Sequence, residues 1–168
     1  KSRALTNRIL YNRLMDERDG NSSYVIDLPD GGRSFIIGNI IQHGPRAENG
    51  VAVSYAAEGA RNAVQELFVV NNTYVNERPS QGTFVRVAAG QRTVRVVNNL
   101  IVGGKTVLSG PGETANNPVT DKPGFVDAAK GDFFHDPRAV DVVTSRSLRG
   151  YGAGFNWKIA NTSAMAVR

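Results

Sequence analysis

The stretch FVVNNTYVNERPSQGTFVRVAAGQRTVRVVNNLIVGG, residues 68–104, states one pattern twice. An apolar run closes in paired asparagine at Val69-Val70-Asn71-Asn72, and again at Val96-Val97-Asn98-Asn99. Each pair is followed by a second apolar run and a polar or glycine stop. Asn72 and Asn99 are 27 residues apart, an interval that suits one supersecondary unit repeated along the chain.

The same place is occupied by Asn12 in ILYNRLMD and by Asn39 in FIIGNIIQHG, so the intervals run 27, 33 and 27 residues. Between these segments lies a third recurring run, YVIDLPDGG, VAVSYAAEG and FVRVAAG, closed by Gly31, Gly59 and Gly90. Val, Ile, Phe and Tyr in short runs cut by Gly, Asn and Asp are strand signals. No segment carries a sustained 3.6-residue apolar period with caps. The unit is strand, glycine turn, strand, asparagine bend, strand, loop, and its repetition predicts an all-β solenoid, a parallel β-helix. Asparagine tolerates the left-handed backbone of a sharp bend. Stacked at strand spacing, Asn12, Asn39, Asn72 and Asn99 are also expected to form an amide ladder.

The 33-residue interval holds the extra residues GPRAENG and AEGARNAVQEL, and insertions in solenoids map to loops that shape a binding face. The stretch AAEGARNAVQELF is read as a loop. After Gly110 the repeat fades into SGPGETANNPVTDKPGFVDAAKGDFF, read as a loop crossing to a terminal cap. The expected division is β-helix coils over 1–110, a last-coil loop and cap over 111–145, and a tail or covering segment over 146–168.

With 168 residues, 40% of them hydrophobic, the chain suffices for one compact domain. The absence of cysteine excludes disulfides, zinc–thiolate sites and cysteine nucleophiles. No apolar run reaches the roughly 18 residues of a membrane span. The opening Lys1-Ser2-Arg3 has neither Met nor signal peptide and reads as the remainder of a longer chain. The net charge of +5 is compatible with an acidic partner or with solubility alone, since the cations are scattered. No nucleic-acid module is present, and no nucleic-acid partner is expected.

The segments YNRLMDERDGNSSYVIDLPDGG, FIIGNIIQHGP, ELFVVNNTYVN, VRVVNNLIVGGKTVLSGPG and PGFVDAAKGDFF resemble the right-handed parallel β-helix repeat family of bacterial secreted proteins and polysaccharide-active enzymes. The resemblance covers roughly residues 1–145. It implies about four to five coils with a C-terminal cap, a secreted, periplasmic or cell-surface location, and an acidic polysaccharide or other glycan as partner. Alginate and chondroitin-type lyases of this fold place Lys-Ser on one coil and Arg-His-Gly on the next, with the lysine as base. Lys1-Ser2 stands at a matching distance here, whereas the arginine's place reads Asp27-Leu28-Pro29-Asp30-Gly31-Gly32. No cofactor or metal is expected: the calcium of the lyases enters only by resemblance, and its ligands find no match.

Lys1 and Arg3 are candidate base and carboxylate clamp, or simply two surface cations; a base role requires a lowered lysine pKa. Asp27 and Asp30, with Glu58 or Asp16 on neighbouring coils, are candidates for a glycosidase carboxyl pair, which needs separations of about 5–5.5 or 6.5–9.5 Å. The competing reading makes Asp30-Gly31-Gly32 a turn and points Asp27 outward by alternation. His43, beside Gly44-Pro45, is expected on a loop surface, lining the groove with Arg46 and Glu48. Tyr24, Tyr55 and Tyr74 offer sugar stacking or packing, and Arg86, on the strand ending in AAG, joins Tyr24, His43, Arg46 and Glu58 as a candidate substrate contact. His43 and His135 show no metal-binding spacing, and no G-x-S-x-G elbow exists. Three classes remain open: a lyase or hydrolase of acidic polysaccharide, a noncatalytic glycan-binding or surface module, and a structural piece whose catalytic coils lie upstream of Lys1.

Overall fold

The computed structural model of the protein describes residues 1–90 and 93–121, together with the backbone of two short strands, Phe125–Asp127 and Asp132–His135. The expected tail over 146–168 lies outside the described residues, as does about half of the expected last-coil loop and cap over 111–145.

The strands recur in a fixed succession. β1 (Thr6–Leu10), β2 (Arg13–Met15) and β3 (Ile26–Leu28) are followed by β4 (Gly32–Ile37), β5 (Ile40–His43) and β6 (Val51–Tyr55). The next set is β7 (Gln65–Val70), β8 (Thr73–Asn76) and β9 (Gly82–Val87), and then β10 (Thr93–Val97), β11 (Leu100–Val102) and β12 (Gly104–Ser109). β13 (Glu113–Ala115) and β14 (Val119–Thr120) extend the series. Every third strand pairs: sheet A is β1-β4-β7-β10-β13, sheet B is β2-β5-β8-β11-β14, and sheet C is β3-β6-β9-β12. All pairings in these sheets are parallel. The final two strands, β15 (Phe125–Asp127) and β16 (Asp132–His135), pair antiparallel. Among the described residues there is no α-helix, hence none long and apolar enough to cross a membrane. The architecture is a β-helix-like solenoid.

The sequence intervals reappear as register. Thr6, Arg33, Glu66 and Thr93 lie side by side in sheet A, separated by the same 27, 33 and 27 residues as the asparagines. The paired asparagines divide the work of the bend between sheets A and B. The first member takes the left-handed backbone, with φ of 55° at Asn71 and 58° at Asn98. Tyr11, Gly38 and Asn116 take the same conformation at the equivalent positions. The second member turns its amide inward. Asn39 Nδ2 donates to Asn72 Oδ1 and Asn72 Nδ2 to Asn99 Oδ1, both at 2.9 Å, and the backbone amides of Asn39 and Asn72 donate to the same oxygens. Asn12 joins from one end through its amide nitrogens to Asn39 Oδ1. Asn117 joins at the other, accepting from Asn99 Nδ2 at 2.8 Å. The ladder therefore has a rung, Asn117, in the stretch read from sequence as loop. There β13 pairs with β10 and β14 with β11, so the solenoid strands run past Gly110.

Alternation fills the interior between the sheets. Ile36, Leu67, Val69, Val96, Ile41 and Ile101 are fully buried, each such side chain contributing about 1.5–3 kcal/mol by leaving water. Tyr74 stacks on Phe84 with ring centroids 5.0 Å apart, and Tyr55 gives its hydroxyl to the Gly32 carbonyl at 2.6 Å. Burial pushes both phenols up. Tyr55 and Tyr74 are thus packing residues and present no face to a ligand.

His43 departs from expectation. It is fully buried at the end of β5, not on a loop surface. The reason is period two: Asn39 turns inward, and counting on by twos brings Ile41 and then His43 to the same interior side. Its Nδ1 lies 3.5 Å from the Tyr74 hydroxyl. Desolvation lowers its pKa, with Arg78 acting in the same sense and Asp16 against it.

Candidate functional site

Sheet C carries a row of polar residues on its outward side. Asp27, Ser54, Arg86 and Ser109 lie in register on β3, β6, β9 and β12. Their neighbours Ile26, Val53 and Val85 are core residues, so alternation sends this row to the outer face. Strand spacing places successive members about 4.8 Å apart.

Beside β3 the opening residues run alongside the sheet, with the Ser2 amide donating to the Asp27 carbonyl at 2.9 Å. This brings together most of the residues singled out from sequence. Lys1 Nζ is 3.2 Å from Asp27 Oδ2 and 2.6 Å from Glu58 Oε1. Arg3 spans Asp30 Oδ1 at 3.0 Å and Glu58 Oε2 at 2.5 Å. Arg61, unremarked in the sequence, adds a second cation to Asp30 at 3.5 Å. Glu58 sits in the bend after β6, where Ala56, Gly59 and Ala60 adopt left-handed backbone and bring the carboxylate round to the cations.

The electrostatics of this cluster are those of a latch. Its hydrogen bonds to Glu58, then to Asp27, hold the Lys1 ammonium above its ordinary pKa. The hydrogen bonds from Lys1 and Arg3 hold the Glu58 carboxyl down at about 2. Both groups are therefore charged at neutral pH. A lysine base must shed its proton and a carboxyl acid must keep one; this geometry favours the opposite state of each. The cluster is exposed on its outer side, so its ion pairs contribute little to stability.

Tyr24, just ahead of β3, reaches Arg86 on β9. Arg86 Nη2 donates to its hydroxyl at 2.5 Å, and the guanidinium carbon stands 5.4 Å from the ring centroid. Since β6 lies between β3 and β9, this contact passes across the β6 position that carries Ser54. Ser54 is fully buried, and its hydroxyl has no hydrogen-bond partner. It was missed in the sequence because only register places a serine of VAVSY between Asp27 and Arg86.

Three further candidates lie outside this assembly. Arg46, on the loop after β5, pairs with Asp19 at 3.3 Å, and His43 is interior. Asp16 accepts from the Ser22 hydroxyl and the Gly44 amide, fixing a loop, and does not join Asp27 or Asp30. A concavity of about 310 Å³ opens at the β1–β3 end of the solenoid, where Ile9, Leu14, Ile26 and Leu28 show the interior end-on beside Lys1 and Asp27. Among the described residues no group of three or more His, Asp or Glu is arranged to hold a metal ion.

No protein-family model matches this chain, and no curated protein or solved structure matches it at a significant level.

Proposed function

We propose that the protein is a noncatalytic right-handed parallel β-helix, of four coils and a partial fifth, that binds an extended glycan along the outer row of sheet C. The observation that carries this reading is the polar row in register on the outer face of sheet C, in which the part-buried Asp27 and Arg86 and the exposed Ser109 stand in line with Tyr24 beside Arg86. The Asp27 carboxylate accepts, and the Arg86 guanidinium donates, hydrogen bonds of the kind sugar hydroxyls and carboxylates make. The row is polar at every strand, it runs the length of the sheet, and an extended polymer is the ligand shape that follows it. Tyr24 shares Arg86 with such a ligand, and its ring offers an apolar face to a sugar. The net charge of +5 and the Arg86 guanidinium favour an acidic polysaccharide over a neutral one.

A lyase or hydrolase reading has less behind it. The cations expected to act on substrate are engaged by Asp27, Asp30 and Glu58. Titration calorimetry of the protein with alginate, pectate and glycosaminoglycan oligosaccharides tests the proposal, with the ultraviolet absorbance of unsaturated ends and a reducing-end assay run on the same mixtures. Binding without either product is expected, with affinity reduced in Arg86→Ala. Unsaturated or reducing ends formed with turnover make it an enzyme, and absence of binding to every oligosaccharide removes the glycan reading.

A further inference from the structure

Asn49 is the only asparagine of the chain followed by glycine, and the loop between β5 and β6 holds it by both ends of its amide. The Val51 backbone amide donates to Asn49 Oδ1 at 2.9 Å, so the side-chain carbonyl folds back over the Gly50 peptide. Asn49 Nδ2 donates to the Ser23 hydroxyl oxygen, also at 2.9 Å. The main chain is pinned on either side. The Glu48 amide donates to the Ser22 carbonyl at 3.0 Å, and the Gly50 carbonyl accepts from the Thr83 amide at 2.6 Å. Among the described residues nothing accepts from the Gly50 amide itself. Asn49 is half-buried, so water reaches it.

These contacts are the parts of an acyl transfer between two neighbouring residues. Gly50 N is the nucleophile and Asn49 Cγ the carbonyl. The Val51 N–H meets charge developing on Oδ1, as a donor of an oxyanion hole does. Glycine leaves the approach open, because no Cβ stands beside the attacking nitrogen. The other described asparagines lack one part or another. Asn39, Asn72 and Asn99 commit their amides to the ladder and are followed by Ile40, Thr73 and Leu100, whose side chains crowd the peptide nitrogen. Asn21, exposed ahead of Ser22, draws no backbone donor onto its side-chain carbonyl among the described residues.

We propose that Asn49-Gly50 is a self-modifying site, at which the Gly50 nitrogen attacks Asn49 Cγ and water is the sole co-reactant. The N–Cγ bond forms, the Cγ–Nδ2 bond breaks, and ammonia departs with the proton that Gly50 N gives up. Water then opens the cyclic imide at either carbonyl. Opening at Cγ leaves aspartate. Opening at the main-chain carbonyl leaves isoaspartate, with the chain rerouted through the side chain and one methylene longer. Isoaspartate no longer offers Oδ1 to Val51, the first residue of β6, so this product loosens the start of that strand. The inference is independent of the glycan reading, because the reaction needs no ligand.

Incubation of the whole chain at body temperature and mildly alkaline pH, followed by peptide mapping with mass spectrometry, tests the proposal. An isoaspartyl methyltransferase assay on the same samples counts the isomer, and the guanidinium-unfolded chain is the reference. Conversion at Asn49 ahead of every other asparagine, with isoaspartate as the main product, is the expected result. Gly50→Ala slows it about tenfold or more, the scale on which a displaced nucleophile loses rate. Gly50 lies outside the left-handed region, and the closest contact of an added methyl would be Arg78 Nη1 at 2.8 Å, the end of a flexible side chain. The variant therefore keeps the wild-type circular dichroism spectrum. Asn49 still intact in the folded chain once the unfolded chain has converted overturns the proposal. So does another asparagine reacting first, or a rate that Gly50→Ala leaves unchanged.

Discussion

Two polar lines run the length of this solenoid at the same spacing, and they are opposite in character. At the bend between sheets A and B, the amides of Asn39, Asn72 and Asn99 are buried with every side-chain group bonded, to one another and to strand carbonyls such as Ile36 and Val69. On the outer face of sheet C, Asp27, Ser54 and Arg86 stand in equal register, and the middle hydroxyl is left without a partner. The ladder is complete in itself and serves the fold. The sheet C row does not bond along its own length, and its outer members Asp27, Arg86 and Ser109 keep surface in contact with solvent.

The sharpest way to break this comparison is to remove one member from each line. Asn72→Ala deletes the acceptor of two donors from Asn39 and orphans buried carbonyls, so thermal or denaturant unfolding is expected to show a loss of about 2–4 kcal/mol. Asn12→Ala, at the exposed end of the same ladder, is expected to lose less than about 1 kcal/mol. Ser54→Ala, by contrast, removes a hydroxyl that has no partner and leaves stability unchanged or slightly raised. If Ser54→Ala unfolds the protein as Asn72→Ala does, the contrast between the two lines is wrong.

A charge-assisted contact is worth about 1.5–3 kcal/mol, so Arg86→Ala is expected to weaken binding of an acidic oligosaccharide by tenfold or more in calorimetry, while Arg46→Ala, outside the row, leaves it unchanged. Smaller in effect is the pH response of His43. Burial lowers its folded pKa below the ordinary 6.5, so the unfolded chain binds the proton first. Its contribution to stability is whole above pH 6.5 and declines as the pH falls toward the folded value. The unfolding midpoint should drop on acidification from neutral, and His43→Gln should flatten that slope. Smallest is the ion latch: the Glu58 carboxyl should titrate near 2 by NMR, rising toward 4.5 in a Lys1→Ala, Arg3→Ala double variant, with no resolvable change in the unfolding midpoint at neutral pH.

Much of the fold was legible because its signal is periodic. The intervals of Asn12, Asn39, Asn72 and Asn99 are also the intervals of strand pairing, and the ladder was foreseeable from the same repetition. Less legible was the division within each Asn-Asn pair, since one residue type serves both the left-handed bend and the amide ladder. Asn117 escaped because the chain shortens its last repeat: only 18 residues separate it from Asn99. His43 was misplaced by its neighbours Gly44-Pro45, whose turn signal outweighed the inward phase set by Asn39. The cluster of Lys1, Arg3, Asp27, Asp30 and Glu58 was named from sequence as separate candidates. Its pairing was not readable, because ion-pair partners 55 and 57 residues apart are set by register and side-chain direction. Ser54 shares that cause: its meaning lies across strands.

The central claim is that a glycan lies along the sheet C row, and backbone amide NMR during an oligosaccharide titration tests it most directly. Saturable shifts concentrated at Asp27, Ser54, Arg86 and Ser109, with Tyr24 moving and the sheet A residues Phe35 and Phe68 still, are the expected result. Shifts centred on sheet A or sheet B, or none with any acidic oligosaccharide, would contradict it.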